Sequence, residues 1–222
     1  LNFPFWFIAT LYLPVFSSGS GWKVFIYPVS KEQGTENKTL MSYNVALPEK
    51  TSPADLMALD IITEVLLLAP GAPLVMALLG EKIGDVVTGS FDSGVLQPVF
   101  SIISKNTNES EKEKFVKVIE EKLNSYVKEG LNKKALQAAI NSYEFKLREA
   151  DFGGMSKGLI YTINAYNTWL YDDLDPFSTF DFSKYFGFLK QQLETNYFEL
   201  EAILKYMKKV YYYSWQMSKK RL

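Results

Sequence analysis

The chain has 222 residues, 47% of them hydrophobic and 22% charged, with a formal net charge of −1 and neither histidine nor cysteine. That length accommodates one or two domains, and so balanced a charge creates no long-range field to gather nucleic acid. Without imidazole or thiol, a Cys/His metal site, a disulfide and a Ser-His or Cys-His nucleophile are all excluded, which leaves carboxylates, lysines, tyrosines and hydroxyls for any chemistry.

Aromatic residues make up 15% of the chain, which points to a sizeable core or to a surface meant to be covered. The sequence opens on Leu1 rather than Met, which reads as a fragment or a processed product. Leu1 to Phe16 is almost wholly apolar and is followed by Ser17-Ser18-Gly19-Ser20. A signal-peptide h-region is the less favoured reading, since the run lacks a basic start and a small-residue cleavage site and is interrupted by Pro4 and Pro14. A spanning helix needs about 20 uninterrupted apolar residues. Residues 1–30 are therefore read as an N-terminal edge or linker segment and 31–222 as the domain proper.

Lys23 to Ser30 has strand composition, with Pro28 placing it at a sheet edge. After a polar loop, Thr39 to Leu47 reads as a second strand. Ser52-Pro53-Ala54-Asp55 combines a cap, a proline at the first helical position and an acid in the first turn. The helix it starts runs to Ala69 and stops at Pro70-Gly71. Its segment from Ile61 to Leu68 is apolar nearly all round, so it belongs against a sheet. A shorter helix spans Pro73 to Lys82, ended by Gly84. Val86 to Phe91 and Val95 to Ile103 read as strands joined by Asp92-Ser93-Gly94, with glycine supplying positive φ.

Asn106 to Glu109 is a polar turn. A helix from Ser110 to Lys128 then buries Phe115, Val118, Ile119, Leu123 and Tyr126, closed by Gly130. Asn132 is the next N-cap, with Leu131 and Leu136 as a hydrophobic staple. Leu136, Ala139, Ile140, Tyr143 and Leu147 share one face of the helix that follows. Gly153-Gly154 breaks it. Another helix starts near Ser156 and carries Ile160, Ile163, Tyr166 and Trp169 or Leu170, stopping by Asp175 because Pro176 forces its predecessor out of helical geometry. Phe182 to Glu194 and Tyr197 to Lys208 read as two more helices, and the last segment, Val210 to Leu222, is aromatic and then basic. This order gives an α+β fold, an antiparallel sheet covered on one face by helices.

Several constellations invite a chemical reading and have a plainer one. Glu144, Arg148 and Glu149 share a helix, and Glu144 with Arg148 at i,i+4 reads as a helix ion pair. Asp172, Asp173 and Asp175 lack the spacing and closing glutamate of a calcium loop and read as an acidic helix end. Trp169, spaced with Tyr166 and Leu170, reads as core. Gly89, Gly94 and Gly153-Gly154 form no phosphate loop and read as turn glycines. Lys205, Lys208, Lys209, Lys219, Lys220 and Arg221 read as a solvated tail rather than a nucleic-acid or membrane patch. Asn37-Lys38-Thr39 and Asn108-Glu109-Ser110 are formal glycosylation sequons without evidence of secretion. No catalytic, cofactor-binding or metal residue is assigned.

Blocks spread along the chain also carry a resemblance. They are TENKTLMSYNVAL (Thr35 to Leu47), APLVMALL (Ala72 to Leu79), GDVVTGSFDSGVLQPVFSI (Gly84 to Ile102), YEFKLREADFG from Tyr143, then KGL and WLYDDLDPF. In this order they resemble the second, non-catalytic domain of the insulinase (pitrilysin) zinc metallopeptidases, presequence-protease branch. The family's chemistry rests on H-x-x-E-H, in which histidines hold zinc and a glutamate activates water. With no histidine, no part of that motif transfers here.

The resemblance implies a sheet-plus-helices domain that is inactive alone and closes with a strand, for which Val210 to Met217 could serve although the segment from Val210 departs from the family's pattern. It would form chamber wall and scaffold in a parent whose first domain holds zinc and which degrades peptides. The implied partners are the parent's remaining domains and its peptide substrate, with no nucleic acid and no membrane. Isolated, such a domain exposes apolar surface and self-associates. The alternative is a stand-alone interaction module with the same fold and no protease activity. The compartment is not fixed by the sequence; with disulfides excluded nothing here needs an oxidising compartment, so the cytoplasm or an organelle matrix is favoured over secretion.

Overall fold

The computed structural model describes residues 21–29, 34, 36–48, 51–150, 152–171, 177, 180–200 and 211–220. Within them the elements run β1 (Gly21–Val29), β2 (Thr39–Ala46), α1 (Pro53–Thr63) continuing into a π-helical turn (Glu64–Leu68), and α2 (Pro73–Gly80). Then come β3 (Val86–Asp92), β4 (Val99–Thr107), α3 (Lys112–Glu129), α4 (Lys133–Glu149), α5 (Lys157–Trp169), α6 (Phe182–Gln192), α7 (Tyr197–Leu200) and β5 (Tyr211–Lys220).

The five strands form one sheet in the order β1-β5-β2-β4-β3. It is antiparallel through β5, β2, β4 and β3, and β1 adds in parallel to β5 at one edge. The strand expected at the C-terminus is thus central, and Lys219 and Lys220 stand in register with Pro28 and Val29. The apolar run 1–16, Asp172, Asp173, Asp175 and Pro176, the helix expected from 201 to 208 with Lys205 and Lys208, and Lys209 and Arg221 lie outside the described residues.

Alternation along β2 and β4 decides which face the helices cover. Met41, Tyr43 and Val45 point one way, level with Phe100 and Ile102 of β4, and all are buried. Onto that face pack Ile61, Ile62 and Leu66, Leu74 and Leu78 of α2, and Phe115, Ile119 and Leu123 of α3. Leu136 and Ile140 of α4, Phe186 and Leu189 of α6, and Phe198 of α7 complete this core. On the opposite face, Ser101 Oγ donates to Asn44 Oδ1 at 2.8 Å and Asn44 Nδ2 donates to Ser42 Oγ at 2.8 Å, so three buried polar groups satisfy one another.

Local chemistry accounts for the helix ends. Ser52 Oγ accepts from the Asp55 N–H at 3.2 Å with Pro53 leading α1. Asn132 Oδ1 accepts from the Lys134 and Ala135 N–H groups at 3.0 and 3.1 Å. Gly130 ends α3 at φ 82°, and Gly153 and Gly154 both take positive φ after α4. The stretch Pro53–Gly80 has mean hydropathy 2.0 and the length to cross a bilayer. Leu59, Ile61, Ile62, Leu66, Leu67, Leu74 and Leu78 are buried in the core, which makes it a core element, while Leu68 and Leu79 are exposed.

Two expectations are corrected at the β3–β4 connection. The link is the longer loop 93–98, and β4 starts at Val99 and continues to Thr107. Pro98 has no N–H for a ladder, and its carbonyl accepts from the Leu47 N–H at 2.7 Å instead. Gly94 is not at positive φ. Its N–H is held by Asp92 Oδ1 at 3.0 Å, an Asx turn. At the far end, Asn106 takes φ 60° inside the strand, and Thr107 Oγ1 donates to the Thr39 carbonyl at 2.9 Å, which draws the expected turn into the sheet.

Candidate functional site

A chain without histidine or cysteine offers only oxygen ligands, and zinc sites in proteins rest on nitrogen and sulfur donors supplemented by carboxylate. Among the described residues no three acidic side chains converge in a way that could hold a metal ion. The donor set does not fit zinc.

The carboxylates that stand close to other functional groups have structural partners. Glu144 Oε1 accepts from Arg148 Nε at 2.9 Å and Nη2 at 2.7 Å on the same helix, and Lys190 of α6 donates to Glu144 Oε2. Lys190 and then Arg148 hold this carboxyl below the ordinary glutamate range. The expected ion pair is therefore present and extends into a clamp between α4 and α6. Glu149 takes no part in it, since it is absent from the bonds of this cluster.

A second carboxylate was not legible as special. Asp60 is the one charge between Asp55 and Glu64 in an otherwise apolar helix, and it is half-buried on α1. Tyr143 of α4 donates to Asp60 Oδ2 at 3.1 Å, and its ring meets Phe186 edge to face at 5.9 Å. Burial pushes the Asp60 pKa up to about 7, against the opposing pull of the Tyr143 hydrogen bond and of Lys146. Burial, then the charge and hydrogen bond of Asp60, raise the Tyr143 phenol above its ordinary range. Tyr143 was expected only as a core-face residue. The signal that could have found the pair is a lone acid inside an apolar helical run. A carboxyl poised near neutrality can move a proton in an active site, but this one serves the contact between two helices.

A recess of about 380 Å³ opens at the β3–β4 loop, lined by Ser90, Asp92, Ser93 and Ser101 with Asn167 of α5. It presents hydroxyls and an amide, and its one carboxylate already accepts from the Gly94 N–H. It contains no acid–base pair. Neither Asp60 nor Glu144 lines it.

Apart from the half-buried Ile160, the large apolar residues of α5 lie on the outside. Ile163, Tyr166, Trp169 and Leu170 are exposed by 45%, 52%, 51% and 67%. The expectation that Trp169 is core is thus corrected. Asn164, Ala165 and Asn167 occupy the less exposed side, so the amphipathic helix is turned with its apolar face outward. Periodicity gives the existence of an apolar face but not the direction in which it points. The sequon residues Asn37 and Asn108 are tied to each other: the Asn37 N–H donates to Asn108 Oδ1 at 2.9 Å and Asn108 Nδ2 to Asn37 Oδ1 at 2.7 Å.

Comparison with known proteins gives this arrangement a context. Residues 22–143 match the family model described as the peptidase M16 inactive domain. The chain is 34% identical over 183 residues to protein HypA of Clostridium perfringens, covering 82% of this chain and 19% of that protein. It is 30% identical over 171 residues to presequence protease 1, chloroplastic/mitochondrial, of Arabidopsis thaliana, covering 75% of this chain and 16% of that protein. The chain thus spans less than a fifth of the length of these curated relatives. Among solved structures, an inactive peptidase domain from Bordetella parapertussis shares the fold with TM-score 0.61 at 14% identity, covering 83% of this chain and 93% of that one.

Proposed function

The chain belongs to the peptidase M16 family as its inactive domain, and from that premise we propose that it forms wall and scaffold in a larger zinc metalloendopeptidase that degrades peptides. The observation that carries this reading is the family's fold combined with a sequence containing no histidine. A domain that keeps the sheet and its helical cover but has no H-x-x-E-H can shape and support a chamber, and it cannot polarise a peptide carbonyl through zinc. The groups with perturbed acidity support the same reading. Glu144 is clamped between cations and Asp60 is bound to Tyr143, so both hold helices together.

In this account the partners are the other domains of the parent and the peptide it encloses, and neither nucleic acid nor membrane is engaged. Without cysteine nothing in this chain requires an oxidising compartment, so a parent in the cytoplasm or an organelle matrix is favoured over a secreted one in this account. A stand-alone interaction module with the same fold is the second reading. The relatives' much greater length favours the first.

The full-length product of the gene provides the test. It should contain H-x-x-E-H outside this chain, bind zinc, and cleave unstructured peptides in a chelator-sensitive manner. A full-length product without that motif and without chelator-sensitive cleavage would leave the interaction module as the better account.

A further inference from the structure

We propose that the outward face of α5 is the surface by which this domain is held against the remaining polypeptide of its parent, through a predominantly apolar contact. The inference rests on the reading of the chain as one domain of a larger peptidase, and it goes further by naming the surface and the chemistry of its partner.

Leu159, Ile163, Tyr166 and Leu170 recur at i, i+4, i+7 and i+11, so they form one stripe along a helix about 20 Å long. All four are exposed, and Trp169 stands beside them with its ring stacked on Tyr166 at 5.9 Å and 29°. Residues 158–171 contain no charged side chain, which no solvated helix face of this length calls for. Side chains of this kind, aromatic and without charge, are those enriched at the centre of protein interfaces.

The absence of charge also restricts the partner. No side chain on the stripe is charged, so a carboxylate or ammonium pressed against Leu159, Ile163 or Leu170 would lose its water without gaining an ion pair, and only the Tyr166 hydroxyl and the Trp169 indole offer polar or cation–π contacts. The partner surface is therefore predominantly apolar, a helix face or sheet face of comparable length. Its source is the rest of the polypeptide, because relatives in which this domain occurs carry more than four-fifths of their length elsewhere.

Hydroxyl-radical footprinting tests the proposal on unaltered protein. Tyr166 and Trp169 are labelled in this chain, diluted until light scattering reports a monomer, and in the full-length product. A packed interface buries its central side chains as deeply as a domain core, so labelling of both residues should fall about tenfold or more in the full-length product. Equal labelling in the two samples overturns the proposal. So does protection that appears in the full-length product only at concentrations where it dimerises, which assigns the stripe to a second copy. Peptide cleavage measured on the same sample keeps the two readings apart. Cleavage without protection removes the docking surface and leaves the family role, whereas protection without zinc or cleavage keeps the surface and removes the peptidase.

Discussion

Gly89 lies in the middle of an edge strand, where a turn has no place, and what fixes it is the helix above. A Cβ at this position would stand 2.3 Å from Leu67 Cδ1 and 2.9 Å from the Ser101 carbonyl oxygen. The π-helical turn Glu64–Leu68 can settle onto β3 only over a residue without a side chain. Overpacking a closed core costs about 1–3 kcal/mol, so Gly89→Ala should lower the free energy of unfolding by roughly 2 kcal/mol in urea titrations. Pairing it with Leu67→Ala should return part of that loss. By sequence alone Gly89 reads as a turn glycine, because the approach of Leu67 comes from an element more than twenty positions away and leaves no local mark.

Asp60 and Tyr143 were equally hidden, since they are 83 positions apart. Their effect on stability has a definite sign. A carboxyl that titrates near 3.8 when unfolded and at about 7 when folded makes the native state bind the extra proton between those values. The native state is then favoured at the acid side of this window and loses stability as pH rises toward about 7. The Glu144 clamp acts in the opposite sense, since a carboxyl held below its ordinary range adds stability as pH rises through that range and adds no further slope near neutrality. Asp60→Asn keeps an oxygen that accepts from Tyr143 and removes the titration. It should flatten the pH dependence between pH 5 and 8 and gain roughly 2 kcal/mol at pH 8. An unchanged slope in the variant would assign the dependence to other groups.

At the scale of elements, the legible part of the fold is the part written in short-range chemistry. Ser52-Pro53 opening α1, Asn132 opening α4, Gly130 closing α3 and the Gly153-Gly154 break each depend on backbone groups within a few residues. The β3–β4 link was misplaced because Pro98 and the Leu47 N–H decide where pairing resumes, and that bond joins distant residues. The direction of α5 was illegible for a related reason. Its apolar stripe is as regular as that of α4, yet Leu136 and Ile140 are buried while Ile163 and Tyr166 are exposed.

The isolated chain should therefore self-associate through α5. Light scattering over a wide concentration range should show growth in mass with concentration, and Ile163→Glu with Tyr166→Glu should suppress it without changing the circular dichroism spectrum. A wild-type chain that stays monomeric throughout would contradict this.

For the whole molecule, the fold class followed from the order of strands and helices, while the strand order did not. The closing strand expected near the C-terminus sits between β1 and β2, pairing in parallel with the former and antiparallel with the latter. The functional assignment depended least on geometry. A composition with no histidine removes the family's zinc chemistry whatever the arrangement of the fold. What remains is a sheet with helices packed on its apolar face, two interhelical clamps centred on Asp60 and Glu144, and an apolar helix face turned outward. Those features suit a domain that supports and is covered by others.

The most direct measurement is metal analysis of the purified chain together with a quenched-fluorescence peptide cleavage assay. The account predicts no stoichiometric zinc and no cleavage at any chain concentration. Stoichiometric zinc accompanied by chelator-sensitive cleavage would contradict it, because carboxylates alone would then have built a site in a domain assigned to structure.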